Sequence, residues 1–252
     1  MRGATEWPFL LVCGVVAGVI GTAGGITSLV AYPALLAVGI PPFAANVTNS
    51  VALLGSGFSS ALRARPDIGG HTRTLRRWMP PTVLLSFVGA VLLTVTPGGV
   101  FDRIVPFLVA VGALTVLLQP WAARRRARTG AQPRRGLVAA GGAGVALYNG
   151  YFGAGAGVLM IALLLWTTEP VLHRANSLKN VILIASDLAP AVLFAVLGTV
   201  VWHAALPLGA GSLVGGLIGP AIARRIPASV LRVLIAACGA ALAVWLAVRA
   251  YG

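Results

Sequence analysis

Acid is nearly missing from this chain. Its 252 residues hold five Asp and Glu against 19 Lys and Arg, and charged residues make up 10% where a soluble domain carries about 25%. So few charges cannot cover a soluble surface of this size, which excludes one or two soluble domains. Only two cysteines are present, Cys13 and Cys238, both inside apolar runs, so a disulfide scaffold is excluded. The 58% hydrophobic content excludes disorder. Period-two alternation in ten-residue segments is lacking, and with it the signature of an outer-membrane barrel. What the chain does have is long apolar runs and a mean hydropathy of +0.92. No charged residue interrupts 7–62, 78–101, 104–123, 136–168 or 188–223.

These runs read as an all-α polytopic membrane protein. A crossing takes about 20 apolar residues, which places eight transmembrane segments at 8–36, 43–62, 78–96, 102–121, 137–167, 177–201, 206–223 and 229–249. Breaks fall at Gly39-Ile-Pro-Pro42, Pro97-Gly98-Gly99 and Arg224-Arg225-Ile-Pro227, where proline ends a helix. The first residues lack the cleavage site of a signal peptide. Trp7, Trp78, Trp121, Trp166, Trp202 and Trp245 all lie near segment ends, as interfacial belts require. The net charge of +14 comes from arginines clustered between apolar runs, where topology determinants belong, so nucleic acid is not an expected partner. Eight straight crossings put thirteen Lys and Arg on the side holding both termini, and six on the other. By the positive-inside rule, both termini of a multi-pass cell-membrane protein would then be cytoplasmic.

The two halves resemble each other. Gly18-Val-Ile-Gly21-Thr-Ala-Gly24-Gly25 faces Gly150-Tyr-Phe-Gly153-Ala-Gly155-Ala-Gly157 at an offset of 132, and Ala45-Asn46-Val-Thr-Asn49 faces Ala175-Asn176-Ser-Leu-Lys179 at 130. The expected organisation is a first four-helix repeat over 1–121, an Arg-rich cytoplasmic linker over 122–136 and a second repeat over 137–252. Four crossings per half make the repeats parallel, unless a segment is re-entrant. Duplicated halves are a common build for secondary transporters, with the substrate at the repeat interface near the midplane.

Several glycines in mid-segment predict that helices 1 and 5 are broken, since each glycine costs about 1 kcal/mol in a helix interior. Exposed backbone at membrane depth must line a cavity or be buried in protein. A helix that restarts there presents N–H groups and a positive dipole end to an anion. Gly21, Gly24, Gly25 and Thr27 in the first half, and Gly153, Gly155 and Gly157 in the second, are therefore candidate substrate contacts; the alternative is close packing through small residues. Asn46 and Asn176 are either helix caps or ligand contacts. Asn49 and Asn180 lie deeper and suit the cavity. Lys179, the one lysine, either draws an anion or snorkels at the interface. Asp187, deep in the sixth segment, either carries a coupling proton or makes a structural hydrogen bond. His71, His173 and His203 have no ligand spacing, so no metal is expected. No Walker A motif is present, and no catalytic arrangement argues for an enzyme.

The run Gly14-x-x-x-Gly18-x-x-Gly21-x-x-Gly24-Gly25, followed by Leu-Leu-x-x-Gly39-Ile-Pro-Pro42-x-Ala-Ala45-Asn46, resembles the TauE/SafE family of membrane permeases. The second copy, Gly150-x-x-Gly153-x-Gly155-x-Gly157 with Ala175-Asn176-x-x-Lys179-Asn180, is similar to the family as well, as is the late run Gly215-Gly216-x-x-Gly219 with Arg225-Ile-Pro227. The resemblance implies about eight transmembrane helices and transport of small anions such as sulfite or an organosulfonate; no cofactor is expected. Thr22 and Ala23 stand where the family runs richer in glycine. Asp187 stands in a span the family often keeps neutral, which points to proton coupling or to a different ligand. The expected function is a secondary transporter for such an anion. The alternatives are a non-transporting membrane scaffold, or a permease for a different small metabolite. Expected partners are the anion, the lipid bilayer and a second copy of the chain.

Overall fold

A computed structural model of the chain describes residues 3–129, 134–223 and 228–251. Within them the backbone forms eleven α-helices and no strand. The first apolar run gives α1 (Gly3–Gly24), α2 (Ser28–Ala37), α3 (Pro42–Ala52) and α4 (Leu54–Ala64). Then follow α5 (Thr72–Val95), α6 (Gly98–Thr129), α7 (Arg135–Tyr151), α8 (Ala156–Thr167), α9 (Leu172–Val196), α10 (Trp202–Ala223) and α11 (Ala228–Tyr251). Where eight crossings are expected, two described helices, α5 and α9, are by themselves long and apolar enough to cross a membrane. Residues 122–129 of the expected linker continue α6 as helix, and 135–136 already belong to α7.

The segment expected over 8–36 is two helices with a turn between them. Gly25 sits at φ +72, a left-handed conformation that only glycine adopts without strain, and its N–H closes α1 onto the Gly21 carbonyl at 2.7 Å. The segment expected over 137–167 is likewise α7 and α8, with Gly153 and Gly155 at φ +78 and +82. Each pair folds back as a hairpin. A Cβ at Gly142, at the start of the third turn of α7, would meet Trp78 and Leu163, and Leu163 is near the end of α8. So α7 begins where α8 ends. In the first half, Leu29 at the start of α2 lies by Gly112, mid-way along α6, whereas Phe43 after its end packs edge-to-face on Phe101 at the start of α6, 5.8 Å between centroids. That places the end of α2 at the end of the molecule from which α6 departs. Tyr148 fastens the second hairpin's tip: its hydroxyl donates to the Ala154 carbonyl at 2.6 Å and to that of Leu108 at 3.2 Å.

The hairpins change the sidedness expected from counting crossings. That count puts the link after α4 and the link after α8 on opposite faces. In the structure they meet: His71 Nε2 lies 2.7 Å from Glu169 Oε2, and Ser177 Oγ donates to Asp67 Oδ2 at 2.8 Å. A hairpin starts and finishes at one end of the molecule, so it shifts the parity of every link that follows. At the opposite end, the hydroxyl of Tyr251 donates to the Arg103 carbonyl at 2.8 Å. Arg103 and Arg249 lie at that end with the start of α1. The other fourteen described Lys and Arg lie at the first end or, for Lys179, part-way in from it.

Packing partners come in matched pairs. α1 packs on α10 and α7 packs on α5; α4 packs on α10 and α9 on α5; α2 packs on α11 and α8 on α6. Glycines allow the closest of these. A Cβ on Gly18 would land on the Ser212 carbonyl oxygen of α10, and one on Gly150 would land on the Ser86 carbonyl oxygen of α5. Small residues at such crossings let backbones approach where there is no hydrophobic force between helices.

Candidate functional site

The two hairpin tips touch at their glycines. A Cβ on Gly25 would sit 2.9 Å from the Gly157 carbonyl carbon, so the tips abut backbone to backbone. Beside this contact lies a cavity of ≈ 90 Å³, room for about six to nine waters at the 10–15 Å³ that one needs. Four elements wall it: Gly21, Gly25, Thr27 and Ser28 from the first hairpin; Asn149, Gly153 and Gly157 from the second; Ser56 and Ser60 from α4; and Lys179, Asn180 and Asp187 from α9.

Of the expected contacts, Gly21, Gly25, Thr27, Gly153, Gly157, Lys179, Asn180 and Asp187 line this one cavity. Gly24 closes α1, and its surroundings lie outside the described residues. Gly155 does not face the cavity but packs on α6, where a Cβ would sit 3.0 Å from Gly112 Cα. Asn46, Asn49 and Asn176 stand behind the wall. Asn46 Nδ2 donates to the Tyr151 carbonyl at 3.0 Å, and Asn176 Nδ2 donates to the Thr22 carbonyl at 3.0 Å. Each thus holds a carbonyl near the C-terminus of the hairpin's first helix in the opposite half, a group the helix itself leaves without a donor. Asn49 Nδ2 donates to Ser28 Oγ at 3.2 Å, holding the first residue of α2.

The charged groups are the unusual part. Lys179 is 3% exposed, and among the described residues it makes no hydrogen bond or ion pair within 4 Å. Its ammonium has three donors to satisfy, and burying such a charge is costly unless it is paired. Asp187 is eight residues further on, about 12 Å along the helix axis. Its Oδ1 accepts from Asn149 Nδ2 at 2.6 Å, and Asn149 also reaches Ser86 Oγ at 3.4 Å. Asn49 stands at the position in the first half that corresponds to Lys179, and Gly57 at the one that corresponds to Asp187, so the charges make the cavity one-sided.

Sequence reasoning passed over Asn149, Ser56 and Ser60. Asn149 stands immediately before the second glycine cluster, an amide in an otherwise apolar turn, and this is a usable signal. Ser56 and Ser60 are one helical turn apart and so share a face.

Away from the cavity, at the arginine-rich end, Glu169 is 5% exposed. Its Oε1 accepts the Val171 N–H at 2.9 Å and its Oε2 faces His71. Burial works to raise this carboxyl, but the Val171 N–H, the His71 ring and the charge of Arg174 outweigh it and hold the carboxyl below the usual glutamate range.

The model of the family described as Sulfite exporter TauE/SafE matches residues 10–246. The chain is similar to a probable membrane transporter protein, ORF9, of Sinorhizobium sp., 28% identical over 94% of this chain and 90% of the relative. It is also similar to a probable membrane transporter protein of Haemophilus influenzae, 27% identical over 83% of this chain and 82% of the relative. A third relative is the probable membrane transporter protein YfcA of Escherichia coli K12, 27% identical over 81% of this chain and 75% of that protein. No solved structure matches the chain.

Proposed function

The chain belongs to the Sulfite exporter TauE/SafE family and is a membrane transporter; from that premise we propose that it carries a small oxyanion, sulfite or an organosulfonate, through the cavity between the two hairpins. The observation that carries this reading is Lys179, a buried lysine that lines the cavity without a hydrogen bond or ion pair among the described residues. An anion there would take the ammonium's N–H groups, the Asn180 amide and the hydroxyl of Thr27; the Ser56 and Ser60 hydroxyls already donate to the Leu53 carbonyl and to Thr22 Oγ1. The glycines Gly21, Gly25, Gly153 and Gly157 bring backbone close to it, and the restarting helices α2 and α8 turn their positive ends toward the hairpin tips.

The matched packing pairs support a duplicated architecture: residues 1–121 and 137–252 as two repeats, joined by the Arg-rich stretch 122–136. Each repeat holds one hairpin and three crossings, and three is odd. The repeats are then inverted relative to one another, and the pair crosses the membrane six times. In inverted-repeat transporters the substrate sits at the repeat interface, and one unit rocks against the other around it. Asn46 and Asn176 position the hairpins and do not touch the anion. Asp187 carries a proton that enters with the anion, so the net charge moved stays low.

Sidedness follows from the arginines. With the arginine-rich end in the cytoplasm, as the positive-inside rule asks, both termini lie on the outer face, the reverse of the side that eight straight crossings imply.

The test is flux of sulfite, sulfoacetate, sulfate and chloride in proteoliposomes, with and without a pH gradient. Uptake of a sulfur oxyanion that follows the proton gradient is the expected result. Folded protein that moves none of these anions refutes the reading.

A further inference from the structure

Five of the six tryptophans are exposed, as interfacial anchors would be; Trp78 is 8% exposed. Its ring enters between α5 and α7, where Gly142 leaves the room: a Cβ there would sit 2.7 Å from Trp78 Cζ3. Indole N–H groups in such settings normally find an acceptor, yet Trp78 Nε1 is buried with no hydrogen-bond partner. Trp78 lines a groove of ≈ 180 Å³ between the two helices. Its walls are apolar, with Pro81 and Leu85 on one side and Val138, Ala139 and Ala143 on the other. Arg77 stands on its rim. Arg73 and Arg76 are exposed on the same helix, and α7 opens behind the exposed Arg134 and Arg135. One further feature adds acceptors. Pro80 and Pro81 lie inside α5 and have no N–H, so the carbonyls of Arg76 and Arg77, one turn back, lack their usual helical donor.

We propose that this groove binds one anionic glycerophospholipid of the leaflet at the arginine-rich end. An acyl chain lies along Pro81, Leu85 and Ala139, the phosphate meets Arg77, and the Trp78 indole turns in its slot to bring the now-buried Nε1–H to a headgroup or ester oxygen. The charge of the rim selects an anion, and the apolar walls select a lipid over a free ion. A glycerol headgroup would in addition offer hydroxyls to the carbonyls of Arg76 and Arg77. Basic pockets between helices on the cytoplasmic side are a known way to hold anionic headgroups. The proposal rests on the chain's place in a membrane and not on what the cavity transports, so its test reads binding rather than flux.

Delipidated full-length protein in detergent is titrated with phosphatidylglycerol, phosphatidylcholine or inorganic phosphate, and bound lipid is counted by native mass spectrometry alongside a thermal melt. Wild type retains one phosphatidylglycerol and melts higher with it. Arg77→Gln and Trp78→Phe each bind it at least about tenfold more weakly, the loss of one charge-assisted or otherwise unmatched hydrogen bond. Ala139→Phe, at an exposed position that fills the groove, also blocks binding and leaves the lipid-free melt unchanged, so the test stands even if Trp78→Phe does not fold. Three outcomes overturn the proposal: wild-type affinity in Ala139→Phe and Trp78→Phe, equal retention of phosphatidylcholine, or the same protection by phosphate alone.

Discussion

Replacing Lys179 by Gln removes one charge and keeps most of the side chain's length. In the proposed site the ammonium makes a charge-assisted hydrogen bond to the anion, worth about 1.5–3 kcal/mol, so the apparent affinity for sulfite should fall about 10- to 150-fold. The same change takes a counter-charge from Asp187. Lys179 and Asp187 are about 12 Å apart along α9, and at an effective dielectric near 20 their attraction is ~1.4 kcal/mol. Asn149 still donates to Asp187 at 2.6 Å, so the carboxylate is not stranded. The fold should therefore survive with a modestly lower melting point, and transport should suffer more than stability. Lys179→Gln with Asp187→Asn separates the two effects: removing both charges should restore the melt without restoring uptake. The assay is initial sulfite uptake into proteoliposomes across a concentration series, with size-exclusion profiles to show folded protein. A folded Lys179→Gln variant whose KM lies within twofold of wild type would refute the reasoning.

Four further outcomes are expected. In a chain with Cys13 and Cys238 replaced by Ala, a cysteine at Tyr251 should react with an impermeant thiol reagent added outside cells, and a cysteine at the exposed Gly69 should not; the opposite pattern would invert the topology. Gly150→Ala should lower the melting temperature, because its methyl meets the Ser86 carbonyl oxygen and overpacking costs about 1–3 kcal/mol; Gly144→Ala, in the same helix with nothing within 4 Å, should be neutral or raise it. Asn176→Ala should cost about 1–3 kcal/mol by leaving the Thr22 carbonyl without its donor, and a melt equal to wild type would remove the clamp. Glu169 has its folded carboxyl held low, so its stabilisation is present above the ordinary glutamate pKa, about 4.3, and is lost as pH falls through the folded value; the gap in melting temperature between wild type and Glu169→Gln should be full at pH 7 and should shrink below about pH 4, and a gap that widens there would reverse the sign.

Much of the cavity was legible because its chemistry is costly in an apolar run. Lys179, Asp187 and the glycine clusters have no cheap place in lipid, and Lys179, Asp187, Gly21, Gly25, Gly153 and Gly157 meet around one space. Asn46 and Asn176 are a different case. An asparagine near a helix start reads equally as a cap, a ligand or a clamp, and neither makes a side-chain cap; only the placement of Tyr151 and Thr22 across the interface decided between these. Asn149 escaped notice because its counterpart in the first half is Ala17, and repeat matching looks for what is shared.

Composition alone settled that the chain is helical and apolar, since 10% charge cannot clothe a soluble body and long runs without alternation satisfy their backbone only as helix. The glycine pattern located the turns, because several glycines together cost more in a helix than in a bend. Whether those turns reverse the chain was left to tertiary structure. An apolar run of thirty residues has the same hydropathy whether it crosses the bilayer or folds back within it. The choice rests on contacts between segments far apart in sequence: Trp78 against Gly142 and Leu163, His71 against Glu169, Tyr251 against Arg103. From that one choice follow which loops share a face, which way the second half runs, and which charges stand beside the cavity.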